Sequence, residues 1–119
     1  MTSKVFVIED GRLLLRKPFP KRLSDRQRLE LSIEKWAVIE AYHQNTETSS
    51  AHLDGIDSST CALCAKYAKN MGCAGCPVSA YTGENDCSGT PYYRYDKKHT
   101  AKNAHAEKKF LLKLLGGLP

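Results

Sequence analysis

Short apolar runs alternate with polar breaks along this chain, and the residues in each break indicate which kind of element it ends. Val5-Phe6-Val7-Ile8 and Leu13-Leu14-Leu15 flank Glu9-Asp10-Gly11-Arg12. Asp-Gly supplies the two positive-φ residues of a type I′ turn, so the pattern predicts a β-hairpin. Lys17-Pro18-Phe19-Pro20-Lys21 then breaks any regular element, because proline lacks an N–H donor and restricts the residue before it. Ser24-Asp25-Arg26-Gln27 has the form of a capping box. Beyond it Leu29, Ile33, Trp36 and Glu40 recur at helical spacing, with Ser32, Ala37 and Ile39 beside them. This predicts a helix over 24–43 with Trp36 as its core anchor rather than as a stacking platform for a ligand.

Residues 44–60 are polar, rich in Ser and Thr and interrupted by Asp54-Gly55. They read as a long loop pinned by Leu53 and Ile56, a solvated connector with a binding loop as the alternative. A short helix is expected from Cys61 to Asn70, capped by Ser58 or Ser59 and ended by Met71-Gly72. Pro77, Gly83, Gly89 and Pro91 predict irregular backbone. A basic helix over 97–115 follows, with an apolar stripe at Ala101, Ala104, Lys108, Leu111 and Leu115 and a stop at Gly116-Gly117. The expected fold is therefore α+β: a small, metal-stapled single domain of 119 residues. It comprises an N-terminal β-hairpin and basic Pro loop (1–22), two main helices packed around Trp36, Ile33, Leu111 and Leu115, and a cysteine-rich zinc knuckle (61–92).

The net charge of +5 is concentrated at the two ends. Lys4, Arg12, Arg16, Lys17, Lys21 and Arg22 outnumber Glu9 and Asp10 at the start, and lysines from Lys97 to Lys113 dominate the tail, whereas the cysteine region is mildly acidic. A basic partner surface would then be built by the ends. The opening MTSKVFVIED has no secretory pattern, and the apolar runs are too short to span a bilayer, so no membrane association and a cytoplasmic location are expected. In that reducing compartment clustered thiols serve more often as metal ligands than as disulfides, and five cysteines cannot all pair.

All five cysteines fall between 61 and 87, as Cys61-Ala-Leu-Cys64, Cys73-Ala-Gly-Cys76 and Cys87. Two CxxC pairs can each present two thiolates to one ion, and eight intervening residues let the chain turn back between them. Zinc held by Cys61, Cys64 and two of Cys73, Cys76 and Cys87 is the leading expectation, and in a small domain it would supply folding energy. An iron–sulfur cluster is the competitor, since it also takes four thiolates and Cys76-Pro77 matches the Cys-Pro ending of some ferredoxin motifs. A redox dithiol is weaker still, because such a pair normally starts a helix in a βαβ context absent here. Near the end, His105-Ala106-Glu107 matches the HxE half of the zinc deaminases, but here the cysteine pairs precede it and lack the leading proline. His99, Asn103, His105 and Glu107 are accordingly read as the polar face of the last helix. No Walker, GxGxxG, HExxH or GxSxG motif occurs, and no nucleophile and base are suggested by spacing, so the chain is expected not to be an enzyme.

Taken together, Glu34-Lys35-Trp36, Cys61-Ala-Leu-Cys64-Ala-Lys-Tyr67, Cys73-Ala-Gly-Cys76-Pro77, Thr82-Gly83 and Cys87-Ser-Gly-Thr90-Pro91-Tyr92 resemble a recurring set of small cysteine-rich proteins of phages and prokaryotes. In those, a KW helix precedes CxLCxxY, CxxCP and CxGTPY segments. The resemblance covers about residues 30–95 and implies a mobile-element origin and a metal module that includes Cys87; it implies no particular reaction. The expected function is a non-catalytic zinc-binding interaction protein, a phage-encoded factor that binds a host or phage protein. The alternatives are a nucleic-acid binder contacting phosphates through Lys17, Lys21, Arg22, Lys102, Lys109 and Lys113, and an iron–sulfur redox or sensor protein.

Overall fold

Asp10 and Gly11 take φ of 51° and 73°, the left-handed pair that lets a two-residue turn follow the strand twist. Strands β1 (Phe6–Glu9) and β2 (Arg12–Leu15) pair antiparallel, with Phe6 opposite Leu15 and Glu9 opposite Arg12. Phe6 and Leu13 are buried. The computed structural model describes residues 3–67, 76–82 and 90–117. Within them lie the hairpin and five α-helices, an α+β domain.

The capping box forms as the sequence predicts: Gln27 N–H donates to Ser24 Oγ at 3.1 Å and Ser24 N–H to Gln27 Oε1 at 2.9 Å. Helix α1 runs over Asp25–Gln44. Its buried face is rotated from the expected stripe. Arg28, Leu29, Ser32, Lys35, Trp36, Ile39 and His43 face inward, while Ile33 and Glu40 are only half-buried. Arg28, a polar member of that face, finds its partners outside the helix. The Arg28 guanidinium donates to the carbonyls of Ala62 (2.8 Å), Lys21 (3.2 Å) and Leu23 (3.3 Å), tying the Pro loop and the next helix to α1. Trp36 is packed edge-on against Tyr95 and Tyr92, with centroids 5.0 and 5.7 Å away, as a core anchor should be.

The polar stretch after α1 is more than a solvated connector. It holds two 3-10 turns, Thr46–Thr48 and Ser58–Thr60, and between them it docks on the hairpin. Leu13 N–H donates to Asp54 O at 2.8 Å and Asp54 N–H to Gly11 O at 2.9 Å, and Leu53 is buried. Gly55 allows this approach: its φ is 85°, and a Cβ there would lie 2.3 Å from the Leu13 carbonyl oxygen.

Three short helices follow: α2 (Ala62–Tyr67), α3 (Pro77–Thr82) and α4 (Tyr92–Lys97). The irregular backbone expected at Pro77 and Pro91 is corrected to helix. Pro77 occupies a first helical position, where its missing N–H costs nothing, and Pro91 immediately precedes α4. The expected cap at Ser58 or Ser59 is also corrected, since those residues form a 3-10 turn and Cys61 directly precedes α2. The expected stop at Met71-Gly72, together with Gly83 and Gly89, lies outside the described residues. Helix α5 (Ala101–Gly116) is capped by Thr100, whose Oγ1 accepts the Asn103 N–H at 3.3 Å. It makes the most extensive interhelical contact among the described residues, against α1. Among the described residues no helix is long and apolar enough to cross a membrane.

Candidate functional site

The 3-10 turn Ser58–Thr60 delivers Cys61 to the start of α2, so its sulfur meets amides not yet used by the helix. Cys61 Sγ accepts the Cys64 N–H at 3.2 Å. A hydrogen bond from the Cys64 thiol holds the Cys61 thiol below its usual range; burial opposes this, and the nearby Lys35 ammonium and the amides of Cys64 and Leu63 add to it. Both cysteines are half-buried. Cys76 is buried at the start of α3 and packs into the core. Cys73 and Cys87 lie outside the described residues. The structure thus brings Cys61 and Cys64 together, and among the described residues no group of three or more His, Cys, Asp or Glu side chains is placed to hold a metal. Two adjacent soft donors, one held below its usual pKa chiefly by a hydrogen bond from the other, fit half of a tetrahedral zinc shell.

The same pair lines one side of a recess of about 170 Å³. Helix α1 contributes Ser32, Lys35 and Trp36, the docked loop Ile56 and Asp57, α2 Leu63, α3 Val78, α4 Tyr92, and α5 Glu107 and Leu111. Most of that surface is apolar, yet three polar side chains are buried in it. Lys35 is 5% exposed, with Nζ 5.7 Å from the Trp36 ring centroid. Glu107 is 4% exposed; its Oε2 accepts from the Thr90 hydroxyl at 3.1 Å, while Oε1 is buried without a hydrogen-bond partner among the described residues. Ser32 Oγ is buried and unpartnered in the same way. Burial pushes the Glu107 carboxyl up to about 7, against the lowering effects of the Thr90 hydroxyl, the Lys35 charge and the Tyr92 amide.

Glu107 therefore corrects its sequence assignment. It belongs with Ala104, Leu111 and Leu114 on the buried face of α5, not on a polar one. Its spacing, three after Ala104 and four before Leu111, carries that signal, but only if a carboxylate is admitted to the inward stripe. Lys35 and Glu107 were missed as site residues for this reason, while Ser32 was placed beside the stripe but not read as a site residue. His105, by contrast, is exposed and sits 3.0 Å from Glu40, which also pairs with Lys108 at 2.9 Å and accepts from Gln44 at 3.2 Å.

A second polar assembly flanks the recess. The rings of Tyr95 and His99 stack with centroids 4.4 Å apart, and His52 stacks on His99 at 4.6 Å. His99 Nδ1 accepts the Leu53 N–H at 3.0 Å, which requires a bare lone pair on that nitrogen. Burial, with His52 and His43 nearby, lowers the His99 pKa against the opposing pull of Asp96 and Asp54. His43 must carry its proton on Nδ1, because that atom faces the Thr48 carbonyl at 2.9 Å; its Nε2 accepts from the Tyr95 hydroxyl at 2.7 Å.

The basic residues expected to meet nucleic acid are all exposed: Lys17, Lys21 and Arg22 around the Pro loop, and Lys102, Lys109 and Lys113 on α5. Helical geometry puts the latter three within an arc of about 40°, opposite Ala104 and Leu111. Comparison of the chain with protein-family models, curated proteins and solved structures gave no match in any of the three.

Proposed function

We propose that this protein is a thiolate-metal binding protein without catalytic activity, in which Cys61, Cys64 and two of Cys73, Cys76 and Cys87 hold one zinc ion. The supporting observation is the Cys64 N–H donated to Cys61 Sγ at 3.2 Å, which preorganises one thiolate beside a second. Zinc bound there acts as a folding staple, and the work of the molecule is recognition of a partner protein, a host protein if the chain is phage-encoded. Protein purified without oxygen should contain about one zinc per chain and be colourless. Iron with labile sulfide and a brown colour would transfer the reading to an iron–sulfur cluster. Absence of any metal, with a Cys61–Cys64 disulfide forming reversibly, would make the pair a redox dithiol, which its place at a helix start also suits. Cys64→Ser should greatly lower thermal stability and release the metal; an unchanged melting curve contradicts a staple.

A second reading rests on a different observation, the arc of exposed lysines on α5. If those lysines contact phosphates, retention on mixed-sequence DNA or RNA should fall steeply with salt. Charge reversal at Lys102, Lys109 and Lys113 should abolish it. Weak binding that ignores both salt and charge reversal rules out this reading.

A further inference from the structure

The Pro loop and the outward side of α1 enclose a groove that neither the thiol pair nor the lysines of α5 account for. Glu30, Leu31 and Glu34 line it from the helix, on the side opposite the buried Leu29, Trp36 and Ile39. Phe19 and Pro20 line it from the loop, and Val5 from the residues before β1. The groove is braced by contacts behind its walls. Buried Arg28 donates to the carbonyls of Lys21 and Leu23 at 3.2 and 3.3 Å, which ties the loop to the helix. The Phe19 ring packs edge-on against buried Phe6, with centroids 6.1 Å apart. Ser3 Oγ donates to Glu34 Oε2 at 2.6 Å. A groove held in this way needs little ordering when it binds.

Its chemistry selects a guest with two features. The lining is mostly apolar, and Val5, Phe19, Leu23 and Leu31 are each half-buried, so their uncovered surfaces meet in one place. At about 370 Å³ the space falls within the range of about 300–1,000 Å³ typical of binding clefts, and it suits an apolar side chain. Charge supplies the second feature. Two carboxylates, Glu30 and Glu34, line the groove against one ammonium, Lys17, so it is net acidic on a chain of net charge +5. Glu30 is exposed and makes no hydrogen bond or ion pair among the described residues. A cation beside the apolar guest complements this wall, whereas the phosphates of a nucleic acid are repelled by it.

We infer that this groove docks a segment of a partner protein that presents one large apolar side chain with an arginine or lysine next to it, the apolar side chain filling the groove and the cation facing Glu30 and Glu34. The inference rests on the reading of the molecule as a partner-recognition protein and deepens it by naming the surface and the partner's chemistry. It does not depend on which cysteines hold metal.

Selection from a random linear peptide library displayed on phage, against the full-length protein, tests it. Enriched sequences should share an apolar residue beside an arginine or lysine, and a synthetic peptide of that consensus should bind saturably. Alanine at its apolar position should weaken binding by more than about tenfold. Glu30→Lys, at an exposed position, should leave thermal unfolding unchanged and weaken the peptide by up to about fivefold, and exchanging the peptide's cation for glutamate should restore the loss. Leu31→Ala, checked for folding in the same melt, should weaken both peptides. A consensus peptide that binds both variants like the parent puts recognition on another surface, which overturns the groove and leaves the partner-recognition reading standing. Enrichment of nothing counts against both, while zinc content of the same sample still reports the metal separately. A consensus without the apolar and basic pair overturns the inference, as does a concentration-dependent dimer that Glu30→Lys dissolves, which would assign the groove to a second copy of the chain.

Discussion

Glu107 shows how much one buried side chain determines at the residue scale. Its carboxyl, raised from 4.5 to about 7 by burial, holds its proton more tightly in the folded chain than in the unfolded one. Stability from this group is therefore complete below about pH 4.5 and is lost as pH rises through 7, by about 3 kcal/mol if the full shift is expressed. Glu107→Gln keeps the shape and removes the titration. The variant should be more stable than the parent at pH 8 by up to that amount and lose this falling trend between pH 4.5 and 7. Paired denaturant titrations at pH 5 and pH 8 measure both. Arg28 is the satisfied counterpart, a buried cation whose donors reach three carbonyls. Arg28→Ala should cost about 2–3 kcal/mol, because those carbonyls are left without their donor; a loss within about 0.5 kcal/mol, the size of an ordinary surface change, would show that water replaces it.

At the scale of elements, features encoded by neighbours in sequence were legible and those encoded across the fold were not. The hairpin follows from Asp10-Gly11 and the start of α1 from Ser24 and Gln27, because each signal and its partner lie within a few residues. The inward face of α1 was misjudged because Arg28 and His43 are buried against Ala62 and Tyr95, far along the chain, and no local period reports them. Helices α3 and α4 are six residues each, too short to show a 3.6-residue repeat, and their prolines looked like breaks when they mark starts. Cys61 and Cys64 were recognisable from their spacing, whereas Lys35 and Glu107 had polarity that argued for solvent. The docked loop gives a sharp test of the fold. Gly55→Ala puts a Cβ into the Leu13 carbonyl at a φ that side chains rarely adopt, and should destabilise the protein by about 3 kcal/mol. Denaturant midpoints at fixed m-value read this directly.

Across the whole molecule the elements converge on one recess: α1 and α5 face each other over it, α2 brings the thiol pair, and the loop anchored on the hairpin closes another side. Two titrating groups, Glu107 in the recess and His99 beside it, pull stability in opposite directions with pH. The His99 pKa lies below its ordinary 6.5, so its contribution is complete above that value and is lost as pH falls, the reverse of Glu107. Just below pH 6.5, where both groups titrate, the two slopes oppose each other, and Glu107→Gln should expose the histidine's by making stability rise with pH there.

The Leu53 amide proton turns the same histidine into a gauge of acidity. Because His99 Nδ1 accepts from Leu53 N–H, protonating the ring replaces an acceptor with a donor aimed at a donor, and the strand-like stretch around Asp54 loses its tether to the residues after α4. One backbone site then records the ionisation of a side chain 46 positions away in sequence. As acid is added, the exchange protection of that amide should fall before that of α1, so the first part of the fold to open is the loop wall of the recess, with the helical walls still in place.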